Sequence, residues 1–164
     1  MALLTRFNAR LARACMYACV AGLLVIVAIV AFQVFGRYVL NSSPTWTENL
    51  ALVLVLYVTL IGAAVGVRDA GHIGMESLLA LVPPEPRRYL EMGIQLLVAT
   101  FGAAMAYNGW LLGASVAGYR LPNIGVSEAV RYVPLVISGG LIILFCFEHV
   151  VALVRREEVV RAWH

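Results

Sequence analysis

Reduced to apolar and polar positions, the chain is four long apolar runs set apart by short polar breaks. Apolar runs cover residues 14–36, 49–67, 92–119 and 132–154, the first three of them uncharged. Each is near or above the roughly 20 residues that a helix needs to cross about 30 Å of hydrocarbon. The pattern predicts an all-α membrane protein, a single domain over residues 1–164 with four transmembrane helices. The third run is long enough to tilt or to project beyond the bilayer. The fourth is interrupted late by Glu148 and His149, about two turns short of Arg155.

The first break, residues 35–49, organises the chain. Asn41, Ser42, Ser43 and Pro44 are turn formers, and a proline disfavours helix in the residue before it. Thr45 or Thr47 suits the cap of a new helix, with Glu48 at the positive end of its dipole. Tyr38 and Trp46 flank the turn, where aromatic residues gather at a membrane–water boundary. The stretch predicts a helical hairpin tip at one membrane face, with Arg37 and Glu48 brought close together. Between the second and third runs, a helical projection of residues 73–82 places Glu76, Ser77 and Ala80 on one side. Met75, Leu78, Leu79, Leu81 and Val82 fill most of the other. Too short to span, this segment reads as an interfacial amphipathic helix ended by Pro83 and Pro84. Residues 1–13 read as an amphipathic lead-in lying on the membrane. Arg6, Arg10 and Arg13 fall on one side, and Leu3, Leu4, Phe7 and Leu11 on the other.

Composition agrees. The chain is 62% hydrophobic with a mean hydropathy of +0.90. Only 13% of residues are charged, about half the usual share for a soluble domain. The net charge of +3 comes with arginine and no lysine. In this setting arginine reports membrane orientation and phospholipid contact, not nucleic acid. Arg6, Arg10, Arg13, Arg68, Arg87, Arg88, Arg155, Arg156 and Arg161 fall on one side of the predicted membrane. Arg37, Arg120 and Arg131 fall on the other. The richer side marks the cytoplasm, so both termini are expected inside and the 35–49 tip outside. The first run exceeds the roughly 7–15 apolar residues of a secretory signal core and is expected to be an uncleaved span. Cys15, Cys19 and Cys146 all lie in apolar runs with no second pair to complete a metal set, so they read as packing residues.

The chemistry that is missing narrows function. A chain that moves charged solutes by itself carries ionisable groups at mid-membrane depth. The first three runs hold none, and Glu148 and His149 sit near the cytoplasmic end of the fourth. His72 and Glu76 are four apart but lack further ligands, and no pair of facing histidines offers a haem site. No cofactor and no catalytic constellation is expected. Gly62 with Gly66, and Gly109 with Gly113, repeat at the four-residue spacing that lets helices approach closely in lipid, within the bundle or against another chain. The boundary groups Arg37 with Glu48, Arg68 with Asp69 and His72, and Arg120 with Glu128 and Arg131 either anchor the boundary or meet a partner or lipid.

Three segments carry a family resemblance. They are Gly36-Arg37-Tyr38-Val39-Leu40-Asn41 with Trp46-Thr47-Glu48, then Gly62 with Val67-Arg68-Asp69-Ala70-Gly71-His72-Ile73, then Tyr132-Val133-Pro134. Together they resemble the small membrane subunit of tripartite ATP-independent periplasmic (TRAP) transporters, the DctQ-like family. A second acid often follows the first in the outer motif, where this chain has Asn49. An Asp commonly follows the His-Ile pair, where the nearest acid here is Glu76. The resemblance implies an accessory subunit in the bacterial inner membrane. It would bind a much larger membrane subunit that holds the substrate and sodium sites and moves as an elevator. A periplasmic solute-binding protein would deliver the solute, commonly an organic acid. Partner or lipid contacts are then expected at Arg37, Trp46, Glu48, Gly62, Gly66, Arg68, His72 and Arg131. Two other readings of the residues stand beside it: a membrane anchor for a redox enzyme, and a self-sufficient exporter using Glu148 as its proton site.

Overall fold

A computed structural model describes residues 2–42, 44–69, 84–121 and 125–155. They form four long helices: α1 (Ala2–Tyr38), α2 (Thr45–Asp69), α3 (Pro84–Ser115) and α4 (Val133–Arg155). A short 3-10 turn, Glu128–Arg131, precedes α4. All four long helices are apolar enough to cross a membrane. The expected interfacial helix at 73–82, and His72 beside it, lie outside the described residues.

The helices do not close into a ring. α1 packs along α2, α2 along α4, and α4 along α3, giving the spatial row α1-α2-α4-α3. α2 and α4 hold the centre, and α1 and α3 form the two ends. Each end helix therefore leaves a broad apolar face uncovered, with Leu24, Val27, Leu97 and Trp110 among its exposed side chains.

α1 takes in the N-terminal lead-in. It runs unbroken through the expected boundary at residue 13 and measures about 55 Å at 1.5 Å per residue. No proline or glycine precedes Gly22, so nothing in the sequence breaks it there. Phe7 is 60% exposed, as an apolar side turned to lipid would be. The covered positions include Asn8, Ala12, Cys15, Cys19, Gly22, Ile26 and Ile29. They alternate four and three residues apart, the spacing of a coiled-coil seam. Small residues in the seam let α1 come close to α2: a Cβ added at Gly22 would stand 2.8 Å from Val58 Cγ2.

α3 and α4 approach more closely still. A Cβ at Gly139 would lie 2.5 Å from the Gly102 carbonyl oxygen and 2.8 Å from the Ala106 backbone nitrogen. A Cβ at Gly102 would meet Ile142 at 2.9 Å. Lipid tails are as apolar as leucine, so helices in a bilayer gain from contact mainly through such close packing. Gly109 also belongs to this seam, its Cβ position 3.0 Å from Leu135. α3 ends at Ser115, earlier than the apolar run suggests. Residues 116–118 turn away, with Ser115 Oγ donating to the Leu112 carbonyl.

The α1–α2 hairpin turns through Asn41, which sits in the left-handed region (φ 50°) that asparagine tolerates. The Ser42 N–H donates back to the Gly36 carbonyl at 3.0 Å. A Cβ on Gly36 would lie 2.9 Å from the Ser42 oxygen, so the turn folds directly over that glycine. α2 then begins at Thr45. Thr47 is buried and its hydroxyl donates to the Pro44 carbonyl at 2.6 Å, bracing the turn rather than capping the helix as an acceptor.

Candidate functional site

At the end of the row where α1 begins, α1, α2 and α4 meet in two stacked layers. The first is apolar: Ala12, Val65 and Phe145 pack together with no exposed area above 1%. One helical turn further along each element lie Asn8, Arg68 and Glu148. These three polar side chains are buried as well, at 0%, 2% and 0% exposure.

Arg68 and Glu148 form a two-pronged pair. Arg68 Nε donates to Glu148 Oε2 at 3.1 Å and Nη2 donates to Oε1 at 3.2 Å. The third guanidinium nitrogen, Nη1, donates to Asp69 Oδ1 at 2.8 Å. Such planar fork-to-fork pairing is the arrangement arginine makes best with a carboxylate. The guanidinium also lies over the Phe145 ring, 5.9 Å from its centre, joining the polar layer to the apolar one. From α1, Asn8 Nδ2 donates to Glu148 Oε2 at 2.9 Å. The Asn8 Oδ1 atom is buried and meets no donor among the described residues. His149 Nε2 lies 3.0 Å from the Arg68 carbonyl oxygen. A carbonyl only accepts, so this bond places the proton on Nε2 and satisfies one of the last carbonyls of α2.

The opposite end of the row carries a lighter set of ties. Arg131 Nη2 donates to Asn49 Oδ1 at 3.2 Å and Nη1 to Glu128 Oε1 at 3.4 Å. Tyr57 donates from its hydroxyl to the Val130 carbonyl at 3.1 Å. The 3-10 turn is thereby fastened to α2. Ser127 caps it by accepting from the Ala129 N–H, and its own hydroxyl donates to the Ala117 carbonyl.

The residues singled out from the sequence separate into groups. Arg68 is committed inside the chain, and Arg131 ties two of its elements together. Arg37 and Glu48 do not meet: both are exposed, and no ion pair joins them among the described residues. A solvated pair is worth only about 0–1 kcal/mol, too little to dictate how the hairpin tip closes. Trp46 is 42% exposed. Gly62 faces α1, its Cβ position 3.9 Å from Cys19 Sγ, while Gly66 faces open space. Gly113 faces Tyr132.

Sequence reasoning did not place Asn8 and Glu148 together, nor either with Arg68. A signal was present: an arginine closing one apolar run and a glutamate late in another each need a partner at membrane depth. Asn8 gave less warning, since it belongs to neither side of the expected N-terminal amphipathic pattern.

Residues 26–156 match the family model described as "Tripartite ATP-independent periplasmic transporters, DctQ component". The chain belongs to this family. Membership makes it a small permease subunit of a TRAP transporter, a multi-pass membrane protein and not an enzyme. The matched residues include Arg68 and Glu148 but begin after Asn8. Among relatives, the sialic acid TRAP transporter small permease protein SiaQ of Vibrio cholerae serotype O1 is 24% identical over 120 residues. That match covers 73% of this chain and 69% of SiaQ. The C4-dicarboxylate TRAP transporter small permease protein DctQ of Pseudomonas aeruginosa is 27% identical over 117 residues, covering 67% of this chain and 54% of that one. The sialic acid TRAP transporter permease protein SiaT of Haemophilus influenzae is 36% identical over 73 residues. Here the match takes in 44% of this chain but 12% of SiaT, a much longer protein.

Proposed function

We propose that this small permease is the scaffold of a sodium-coupled, binding-protein-dependent importer of an organic acid, holding a larger elevator-type membrane subunit in place. One observation carries the reading: among the described residues, the buried charged groups of the spans, Arg68 and Glu148, are paired with each other. Arg68 spends all three guanidinium nitrogens on Glu148 and Asp69, and Glu148 also accepts from Asn8. A site for a coupling ion or solute needs such groups turned toward a path, and here they are turned inward. Glu148 is accordingly a poor proton site for a self-sufficient exporter. The uncovered apolar faces of α1 and α3 suit a large neighbour in the bilayer. The SiaT match supports the same association, since a segment like this one occurs within a far longer permease. Sialic acid and C4-dicarboxylates, named for the relatives, are both organic acids.

The arginine distribution favours the inner membrane with both termini in the cytoplasm and the α1–α2 tip in the periplasm. There Trp46, Glu48 and Arg37 stand exposed, available to the large subunit, phospholipid headgroups or the periplasmic binding protein.

The test is to express the chain with and without the large permease subunit encoded with it. The two are expected to copurify, and sodium-driven uptake of the organic acid into vesicles is expected only when both and the binding protein are present. Uptake by the chain alone, or full uptake without it, overturns the proposal.

A further inference from the structure

The seam between α1 and α2 is almost entirely apolar, and that leaves a question of register. An apolar helix that slides by one turn along another in lipid exchanges one set of small and aliphatic contacts for a similar set. In coiled coils the same ambiguity is removed by one buried polar residue in the seam, often asparagine, at some cost in stability. Asn8 occupies that position here. It lies in the four-three series that continues through Ala12, Cys15 and Cys19, and its one bond to another helix reaches Glu148 on α4. Its Oδ1 is buried without a donor among the described residues. An apolar side chain there would carry no orphaned oxygen, so stability alone does not account for an amide. The amide supplies a donor at one height only.

We propose that Asn8 is the positioning residue that fixes the register of α1, and that the Arg68–Glu148 pair is the fixed mark it reads. Arg68 holds both Glu148 oxygens in place from α2, so the carboxylate cannot follow α1 if that helix slides. A shift of one turn moves Asn8 about 6 Å along the axis and breaks the bond. The functional half rests on the scaffold reading above: a small subunit whose end helix slides cannot hold a moving partner steady.

The chain contains its own reporter of register. Gly62 on α2 faces Cys19, and Cys15 lies one turn away along α1. A thiol introduced by Gly62→Cys should form a disulfide with Cys19 in the native register, and with Cys15 if α1 slides one turn toward the periplasm. The experiment oxidises this variant in lipid nanodiscs, with Asn8 intact and with Asn8→Leu, and maps the bridges by mass spectrometry. With Asn8 intact, bridging to Cys19 is expected to dominate. With Asn8→Leu, the ratio of Cys19 to Cys15 bridging should fall about tenfold, the scale set by losing one buried hydrogen bond to a charged group. Glu148→Gln, which keeps an acceptor oxygen, should shift the ratio less than Asn8→Leu.

In the assembled transporter carrying Asn8→Leu alone, the maximal uptake rate should fall severalfold while half-saturation for sodium and solute stays unchanged. An unchanged bridge ratio overturns the register assignment, whatever the chain's partner proves to be. A shifted ratio with unaltered uptake overturns its role in transport. Failure of the wild-type chain to support uptake removes the scaffold reading and leaves the bridge ratio to decide the register.

Discussion

Two neighbouring glycines on α4 should respond to the same substitution with opposite signs. Gly139 lies in the α3–α4 crossing, whereas Gly140 is exposed with no heavy atom within 4 Å of an added Cβ. In Gly139→Ala the methyl would sit 2.5 Å from the Gly102 oxygen, 2.8 Å from the Ala106 nitrogen and 3.0 Å from the Ala106 Cβ. Ordinary carbon–oxygen contacts begin near 3.3 Å, and the two closest atoms are backbone, which cannot rotate aside. The helices must part by several tenths of an ångström or more. A gap of 0.5–1 Å already forfeits about a quarter to a half of each dispersion contact, and overpacking of this kind costs about 1–3 kcal/mol. Removing a mid-helix glycine returns up to about 1 kcal/mol, leaving a net loss of up to about 2 kcal/mol. Gly140→Ala keeps only the favourable part, a gain of about 0.5–1 kcal/mol. Reversible unfolding of the purified chain in mixed micelles, followed by far-UV circular dichroism and Trp fluorescence, measures both. Equal shifts, or a more stable Gly139→Ala, would refute the close-crossing argument.

The buried charge layer should show non-additivity. Glu148→Leu alone strands the Arg68 guanidinium and should cost up to about 3–5 kcal/mol, moderated by Asp69, while Arg68→Met with Glu148→Leu should recover most of it; a double variant as unstable as the sum of the singles would count against an internal pair. Asn49→Asp places a carboxylate where Arg131 now meets an amide, so a gain of about 0–1 kcal/mol that fades with added salt is expected in the same unfolding assay. Loss of stability at low salt would contradict the Arg131 geometry. Gly66→Leu adds bulk on an open face and should reduce copurification with the large subunit while leaving the isolated chain's unfolding little changed; normal copurification would show that this face is not a contact.

Four helices apolar enough to span, and the turn that begins at Asn41, were legible in the residues themselves, whereas the points at which α1 begins and α3 begins and ends were not. Hydropathy over about 20 positions is set against a bilayer of fixed thickness, and turn chemistry is local, so neither needs to know what lies alongside. The helix faces were not legible. In a run where every position is apolar, no amphipathic stripe shows which side packs, and Gly22, Gly102 and Gly139 became contact points only when another backbone came near. The four-residue glycine pairs read from the sequence were a partial guide: Gly109 does sit in a seam, but Gly66 faces open space. The row order was decided by the tertiary structure alone, because α2 and α4 take the centre despite being far apart in the chain. It is this order that brings Arg68 to Glu148 across 80 residues and Asn8 across 140. A charge at membrane depth announces that it needs a counterpart, and only the packed helices say which one it has.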